Sequence, residues 1–102
     1  MTLLKHAKTL LVIVAEAVLE KNLVRDVRER GAQSWTISEV HSAGREGVRE
    51  GAWEADRTIE LKLICEPALA DAIAEHVIAI YAAHYAVAIY FSEVKVLRPD
   101  RY

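Results

Sequence analysis

The chain has 102 residues, of which 53% are hydrophobic and 27% charged, and its formal net charge at pH 7 is −2. At this length one domain over residues 1–102 is expected, and the 13 basic residues, outnumbered by 15 acidic ones and spread along the chain, give no reason to expect nucleic acid binding. No run approaches the roughly 18 apolar residues of a membrane span, and one cysteine cannot form an internal disulfide, so a cytoplasmic protein that does not span the membrane is expected.

The first part of the chain predicts a strand, a helix and a second strand. Residues 9–16, TLLVIVAE, form a short β-branched run bounded by charge, which favours a strand covered on both faces. Apolar residues then recur at four-residue spacing between residues 17 and 30, which predicts an amphipathic helix that Gly31 ends. Residues 33–40, QSWTISEV, are rich in β-forming side chains and predict the second strand.

The second part predicts a strand, a helix and a last strand. Residues 57–65, RTIELKLIC, alternate between apolar and polar side chains, which indicates one dry face and one polar face. Helical spacing runs from Pro67 to residue 84. In residues 86–97, AVAIYFSEVKVL, both alternate sets of positions are apolar over the first half. A strand with two dry faces is therefore expected before Pro99.

This order of elements, βαββαβ, predicts an α+β fold of the ferredoxin-like type. Such a fold has a four-stranded antiparallel sheet with two helices on one face. The first and fourth strands, apolar at both parities, are expected to form the central pair. The sheet face without helices would then be dry, which predicts association with further copies of the chain.

The long connection between the second and third strands, residues 41–57, is the first candidate site. A hairpin needs only two to five residues, and long loops in compact domains are usually functional or disordered. The stretch AGREGVREGAW, residues 43–53, combines three glycines, which let amides turn toward one point, with two arginines suited to phosphate or carboxylate. These residues are Gly44, Gly47, Gly51, Arg45 and Arg49.

A second interpretation of this stretch is a charge-balanced linker. Glu46 and Glu50 could pair with both arginines and leave no free positive charge. Trp53 favours the binding interpretation, because a large apolar ring in a loop usually contacts a partner surface.

The remaining candidates favour structural roles. The four histidines lack the paired spacing of a metal site, so no metal is expected, and His41 and His84 are expected near strand ends. Cys65 is interpreted as a core residue, and Glu16 could cap the first helix or face a site, with the cap as the preferred interpretation. No catalytic triad or phosphate-binding motif occurs, so the chain is not expected to be an enzyme.

Taken together, three stretches resemble the PII-like signalling proteins, in the branch associated with bicarbonate transporters and carboxysomes. IVAEAVLEKNLVRDVRERGAQSWTI is similar to the first strand, helix and second strand of that family. GREGVREG stands where the nucleotide-responsive T-loop begins, and HYAVAIYFSEVKVL resembles the end of the second helix and the last strand. The resemblance lies in the joint order of these stretches and covers nearly the whole chain.

The resemblance implies a homotrimer with inward-facing sheets and an adenine nucleotide in each cleft between protomers. ADP or AMP is the expected ligand, ATP and cyclic AMP are further candidates, and bicarbonate is a candidate second ligand. The implied adenine contacts are Thr36, Ile37 and Ser38, and the implied facing wall is Tyr85, Ala86, Val87 and Ala88. The implied phosphate contacts are Gly44, Arg45 and Arg49, with Arg98 and Arg101 from the C-terminal segment 98–102.

The implied function is regulation of a partner, such as a membrane bicarbonate transporter, through the T-loop. The loop has no tyrosine and YAAHYAVAIY has no glycine, so uridylylation and the sensing of ATP with 2-oxoglutarate are not expected. Val87 stands where relatives often have glycine, and the ending RPDRY lacks a redox cysteine. A ferredoxin-like trimeric enzyme or a metal-tolerance protein is the alternative.

Overall fold

The structure, a computed structural model, describes residues 2–41, 43–44, 47–48 and 57–102, with only the backbone described at 43–44 and 47–48. Within these residues, six strands and two helices follow one another along the chain. They are β1 (His6–Glu16), α1 (Glu20–Glu29), β2 (Thr36–Val40), β3 (Ala43–Gly44), β4 (Gly47–Val48), β5 (Thr58–Cys65), α2 (Pro67–Tyr81) and β6 (Val87–Val96). One 3₁₀ turn, Ala17–Leu19, precedes α1, and another, Pro99–Arg101, follows β6.

Four strands form one antiparallel sheet in the order β2-β5-β1-β6, and β3 and β4 form a separate small hairpin. Both helices pack on one face of the sheet, so the predicted ferredoxin-like fold is confirmed. The predicted central pair is wrong: β1 and β5 are central, and β6 lies at an edge. The hydrogen bonding between strands decides the order, because β1 pairs with β5 and β6 while β5 pairs with β1 and β2.

β6 was expected to have two dry faces, but within the protomer it does not, because it lies at an edge of the sheet. Tyr90 and Phe91 point to opposite faces of the sheet and are 50% and 48% exposed. No further strand among the described residues lies beyond β6, so these side chains lack a neighbour on that side. The strand with polar residues on one face, β5, lies in the interior of the sheet, between β2 and β1.

The core lies between the sheet and the helices. Alternate residues of β1 and β5 point toward the helices and are buried, and Cys65 is among them, as predicted. The largest fully buried side chains between sheet and helices are Leu11, Ile13, Leu19, Leu23, Val27, Ile59, Leu61, Ile73 and Val77. Truncating one of them to alanine would cost about 2–5 kcal/mol of folding free energy.

The opposite sheet face is apolar along β1 and polar along β5 and β2. Val12 is 1% exposed there, whereas Lys62 and Glu60 form an ion pair with 3.0 Å between Nζ and Oε1. Lys8 on the same face is buried and pairs with Glu66. The face without helices is therefore apolar along β1, as expected, but not along β5, whose predicted polar side chains point to this side.

Helix α1 ends at Glu29, and Gly31, the glycine predicted to end it, lies in the turn that follows the helix. Gly31 has φ +101°, a conformation that side chains disfavour. Its amide donates to the Arg28 carbonyl at 3.0 Å, and the Ala32 amide donates to the Val27 carbonyl at 3.0 Å. These two bonds make a Schellman motif, which satisfies the last carbonyls of the helix.

The element ends differ from the sequence prediction by up to three residues. β1 begins at His6, because pairing with Val96 extends the sheet into a polar stretch. β2 begins only at Thr36, and α2 stops at Tyr81, where residues 82–85 turn toward β6. The Tyr85 amide still donates to the Tyr81 carbonyl at 3.0 Å.

A buried carboxylate joins the two helices. Asp26 of α1 is 3% exposed, and the Tyr81 hydroxyl at the end of α2 donates a hydrogen bond to its Oδ2. Arg25 contacts the other oxygen, with 3.3 Å between Nη2 and Oδ1. Burying a charge is costly without such partners, so this contact constrains how the helices pack.

Tyr81→Phe should therefore lower the free energy of unfolding by about 1–3 kcal/mol, since it removes a hydrogen-bond donor from a buried carboxylate. Chemical denaturation measures the change. Tyr90→Phe, at a half-exposed position of β6, is the matched control and should lie within about 0.5 kcal/mol of wild type. Equal stability of the two variants would contradict the structural role of the Asp26 contact.

Candidate functional site

One end of the sheet gathers the segments that the sequence marks as functional. Glu16, the last residue of β1, pairs with Thr58, the first residue of β5, and Thr58 also pairs with Val40 at the end of β2. Val87, the first residue of β6, pairs with Ala15. The base of loop 41–57 and the turn 82–86 before β6 therefore share this end of the sheet.

Two contacts hold the base of the loop. Arg57 Nε lies 3.0 Å from Glu39 Oε1, joining the strands on either side of the loop, and the Ala17 amide donates to the Arg57 carbonyl at 2.8 Å. The ion pair is exposed, and pairs of that kind contribute only about 0–1 kcal/mol. The backbone bond from Ala17 is the firmer of the two contacts.

Glu16 does not cap the helix, contrary to the sequence prediction. Its side chain makes no capping hydrogen bond, and its Oε2 instead accepts a hydrogen bond from the Ala86 amide at 2.7 Å. The backbone of Glu16 is extended, which directs the carboxylate across to the turn before β6. Sequence spacing could not reveal this contact, because the two residues are 70 positions apart.

The three predicted adenine contacts on β2 divide between the two faces of the sheet. Thr36 and Ser38 pair with Lys62 and Glu60 and share their face, away from the helices. Ile37 is partly buried and packs against the core on the other face.

The predicted facing wall lies at the other edge of the sheet. Tyr85 and Ala86 belong to the turn, Val87 packs against the core, and Ala88 is exposed. Two strands, β5 and β1, separate β6 from β2, which corresponds to about 14 Å at the usual strand spacing. A single protomer therefore does not bring the two sets of predicted residues together.

The predicted phosphate contacts fall in three places. Gly44 pairs with Gly47 in the β3–β4 hairpin, whereas Arg45 and Arg49 lie outside the described residues. The other loop residues singled out from the sequence, Glu46, Glu50, Gly51 and Trp53, also lie outside them. Arg98 and Arg101 follow the end of β6 that pairs with His6, at the opposite end of the sheet, roughly 30 Å along β1 from Glu16.

The Asp26 contact is made at the end of α2, next to the turn before β6, and it was not predicted from the sequence. Its donor, Tyr81, immediately precedes the turn, and the Tyr81 and Tyr85 rings meet edge to face with 6.4 Å between centroids. Burial and the bond to Asp26 raise the pKa of Tyr81, so the hydroxyl remains a donor. A lone aspartate on a helix gives no sequence signal for such a role.

His76 of α2 completes the surroundings of Asp26. Arg30 Nη2 lies 2.7 Å from His76 Nδ1, and because a guanidinium only donates, Nδ1 is the acceptor. The ring proton is thereby assigned to Nε2, which lies 3.2 Å from Asp26 Oδ2 but is not aligned for a hydrogen bond. Burial alone would raise the pKa of Asp26, yet Tyr81, His76 and Arg25 together bring it below its ordinary value.

Among the residues that the structure describes, no three His, Cys, Asp or Glu side chains are grouped as a metal ion would need. His41 follows β2 directly and His84 lies in the turn before β6, so both are near strand ends, as predicted. No described helix is long and apolar enough to cross a membrane.

The chain was compared with known families and structures. A family model described as nitrogen regulatory protein P-II matches residues 8–101. The chain belongs to the P-II family. Members of this family are signalling regulators that form trimers and act through partners, and the expectation that the chain is not an enzyme is confirmed.

Solved structures agree with this assignment. A PII-like signalling protein of Thermus thermophilus is 35% identical, with 96% of this chain and 97% of that chain covered and a TM-score of 0.83. The CPII protein of Thiomonas intermedia, solved with ADP and bicarbonate, is 17% identical, with 98% of each chain covered and a TM-score of 0.86. The same protein solved with ADP, AMP and bicarbonate is 19% identical, with 98% and 97% covered and a TM-score of 0.86. No curated protein sequence matches the chain.

The lowered pKa of Asp26 predicts a pH dependence of stability. The folded pKa lies below the ordinary value of about 3.9, so the contribution is complete above about pH 4 and disappears as the pH falls through the folded pKa. The difference in unfolding free energy between wild type and Asp26→Asn should therefore shrink below about pH 4. Denaturation over the range from neutral pH to well below that value tests this, with Asp71→Asn on the exposed face of α2 as control. A constant difference for Asp26→Asn would contradict it.

Proposed function

We propose that this chain is a P-II-type regulator that binds an adenine nucleotide in each cleft between the protomers of a homotrimer. ADP or AMP is the proposed ligand, with ATP and cyclic AMP as competitors. The nucleotide would act on the T-loop, residues 41–57, through which the protein controls a partner.

The strand order is the observation that carries this proposal. Thr36 and Ser38 stand at one edge of the sheet and Ala88 at the other, so residues of both sets can enclose one ligand only across two protomers. Shared clefts of this kind need a closed ring of identical contacts, which a trimer supplies. CPII, a protein of the same fold, was solved with ADP.

Arg45 and Arg49 are the proposed phosphate contacts, together with the backbone at Gly44. A guanidinium binds phosphate oxygens through paired, charge-assisted hydrogen bonds. A nucleotide switches a loop only if it binds one loop state more tightly than the other, and these bonds would provide that difference. Arg98 and Arg101 would reach the phosphates only from a neighbouring protomer.

The proposed physiological role is in bicarbonate uptake or carboxysome function in the cytoplasm. Two lines support it: the sequence resemblance to the transporter-associated branch, and CPII solved with bicarbonate beside ADP. Bicarbonate is accordingly the proposed second ligand, and a membrane bicarbonate transporter the proposed partner.

Isothermal titration calorimetry of the wild-type protein tests this function. ADP, AMP, ATP and cyclic AMP are each titrated with and without bicarbonate, and ADP or AMP should bind with one site per protomer. If Arg45 and Arg49 hold the phosphates, Arg45→Ala with Arg49→Ala should weaken ADP binding at least about tenfold, since charged hydrogen bonds are lost.

The matched control is Lys21→Ala with Arg28→Ala, which removes two exposed positive charges of α1, outside the loop. Its affinity for ADP should stay within about twofold of wild type, because neither side chain belongs to the proposed nucleotide contacts and exposed charges are screened by salt. No heat from any nucleotide would refute the proposed function. Equal weakening in both double variants would refute the assignment of Arg45 and Arg49.

A further inference from the structure

We propose that Glu16 is a positioning residue that couples the turn before β6 to the exit of the T-loop. This inference rests on the proposed function for its consequence in ligand binding, but its geometric part concerns the ligand-free protomer. Glu16 and Ala17 are consecutive residues, and each makes one hydrogen bond to a different functional segment.

The first bond holds the turn. The Glu16 carboxylate accepts from the Ala86 amide at 2.7 Å, a charge-assisted bond that fixes the last residue before β6. The Ala86 amide is thereby already occupied by a side chain of the same protomer. A ligand at this turn would meet a preformed backbone, which the Tyr85 amide also ties to the Tyr81 carbonyl at the end of α2.

The second bond holds the loop exit. The Ala17 amide donates to the Arg57 carbonyl at 2.8 Å, immediately before β5 begins at Thr58. Glu16 itself pairs with Thr58 in the sheet, so the peptide between Glu16 and Ala17 is fixed relative to the first residues of β5. If the turn shifts, the Glu16 side chain bonded to it would move too. The peptide unit between Glu16 and Ala17 would then transmit this movement to Arg57.

The chemistry of the acceptor makes this inference testable. Glu16→Gln keeps an oxygen that can accept from the Ala86 amide, whereas Glu16→Ala removes the acceptor. Glu66→Ala is the control, because it removes the carboxylate that pairs with Lys8 near the opposite end of β1. That control reports a loss of stability without a change at the coupled end.

The test has two measurements. Amide hydrogen exchange in the ligand-free protein should be at least about tenfold faster at both Ala86 and Ala17 in Glu16→Ala, close to wild type in Glu16→Gln, and unchanged there in Glu66→Ala. ADP affinity should fall about tenfold in Glu16→Ala and be restored in Glu16→Gln.

Unchanged exchange at Ala17 in Glu16→Ala would overturn the inference, whatever happens to ADP binding. Wild-type affinity of Glu16→Ala for ADP would overturn it as well. If the wild-type protein binds no nucleotide while Ala17 and Ala86 respond together, the proposed function fails and the coupling stands.

Discussion

The pairing of β1 with both β5 and β6 is the interaction on which the rest of the structure depends. It places β1 in the interior of the sheet beside β5, which pairs with β2 on its other side, and it aligns the buried residues of β1 and β5 under the two helices. The same register brings the end of β1 beside the start of β5 and the start of β6. Because those strand ends flank the loop and the turn, the pairing that builds the core also builds the candidate site.

The strand order has a further consequence for function. It leaves β2 and β6 at opposite edges, and the residues proposed to contact the nucleotide are divided between these edges. Each protomer would then carry two different half-sites, and assembly would be a condition of binding.

Local pattern was sufficient to predict the order of the two helices and the four sheet strands, the fold and the end of α1 at Gly31, because apolar period and turn chemistry are local properties, but it did not predict the β3–β4 hairpin. It did not predict which two strands are central, since the apolar composition of β6 does not reveal its place in the sheet. Glu16 was wrongly preferred as a helix cap, because its partner is a backbone amide 70 positions away. Asp26 and Tyr81 were missed because their side-chain contact joins residues 55 positions apart. The arginines of the loop remain predictions from the sequence alone.

Mixed trimers measure the central claim, a nucleotide site shared between protomers, most directly. Ser38→Tyr would block the β2 half-site and Ala88→Tyr the β6 half-site, and both positions are exposed, so folding should be kept. Neither variant alone should bind ADP, whereas trimers assembled from both should regain about a quarter of the sites, because each site draws its two halves from neighbouring protomers. Folded mixed trimers that bind no ADP, when wild type does, would contradict the account.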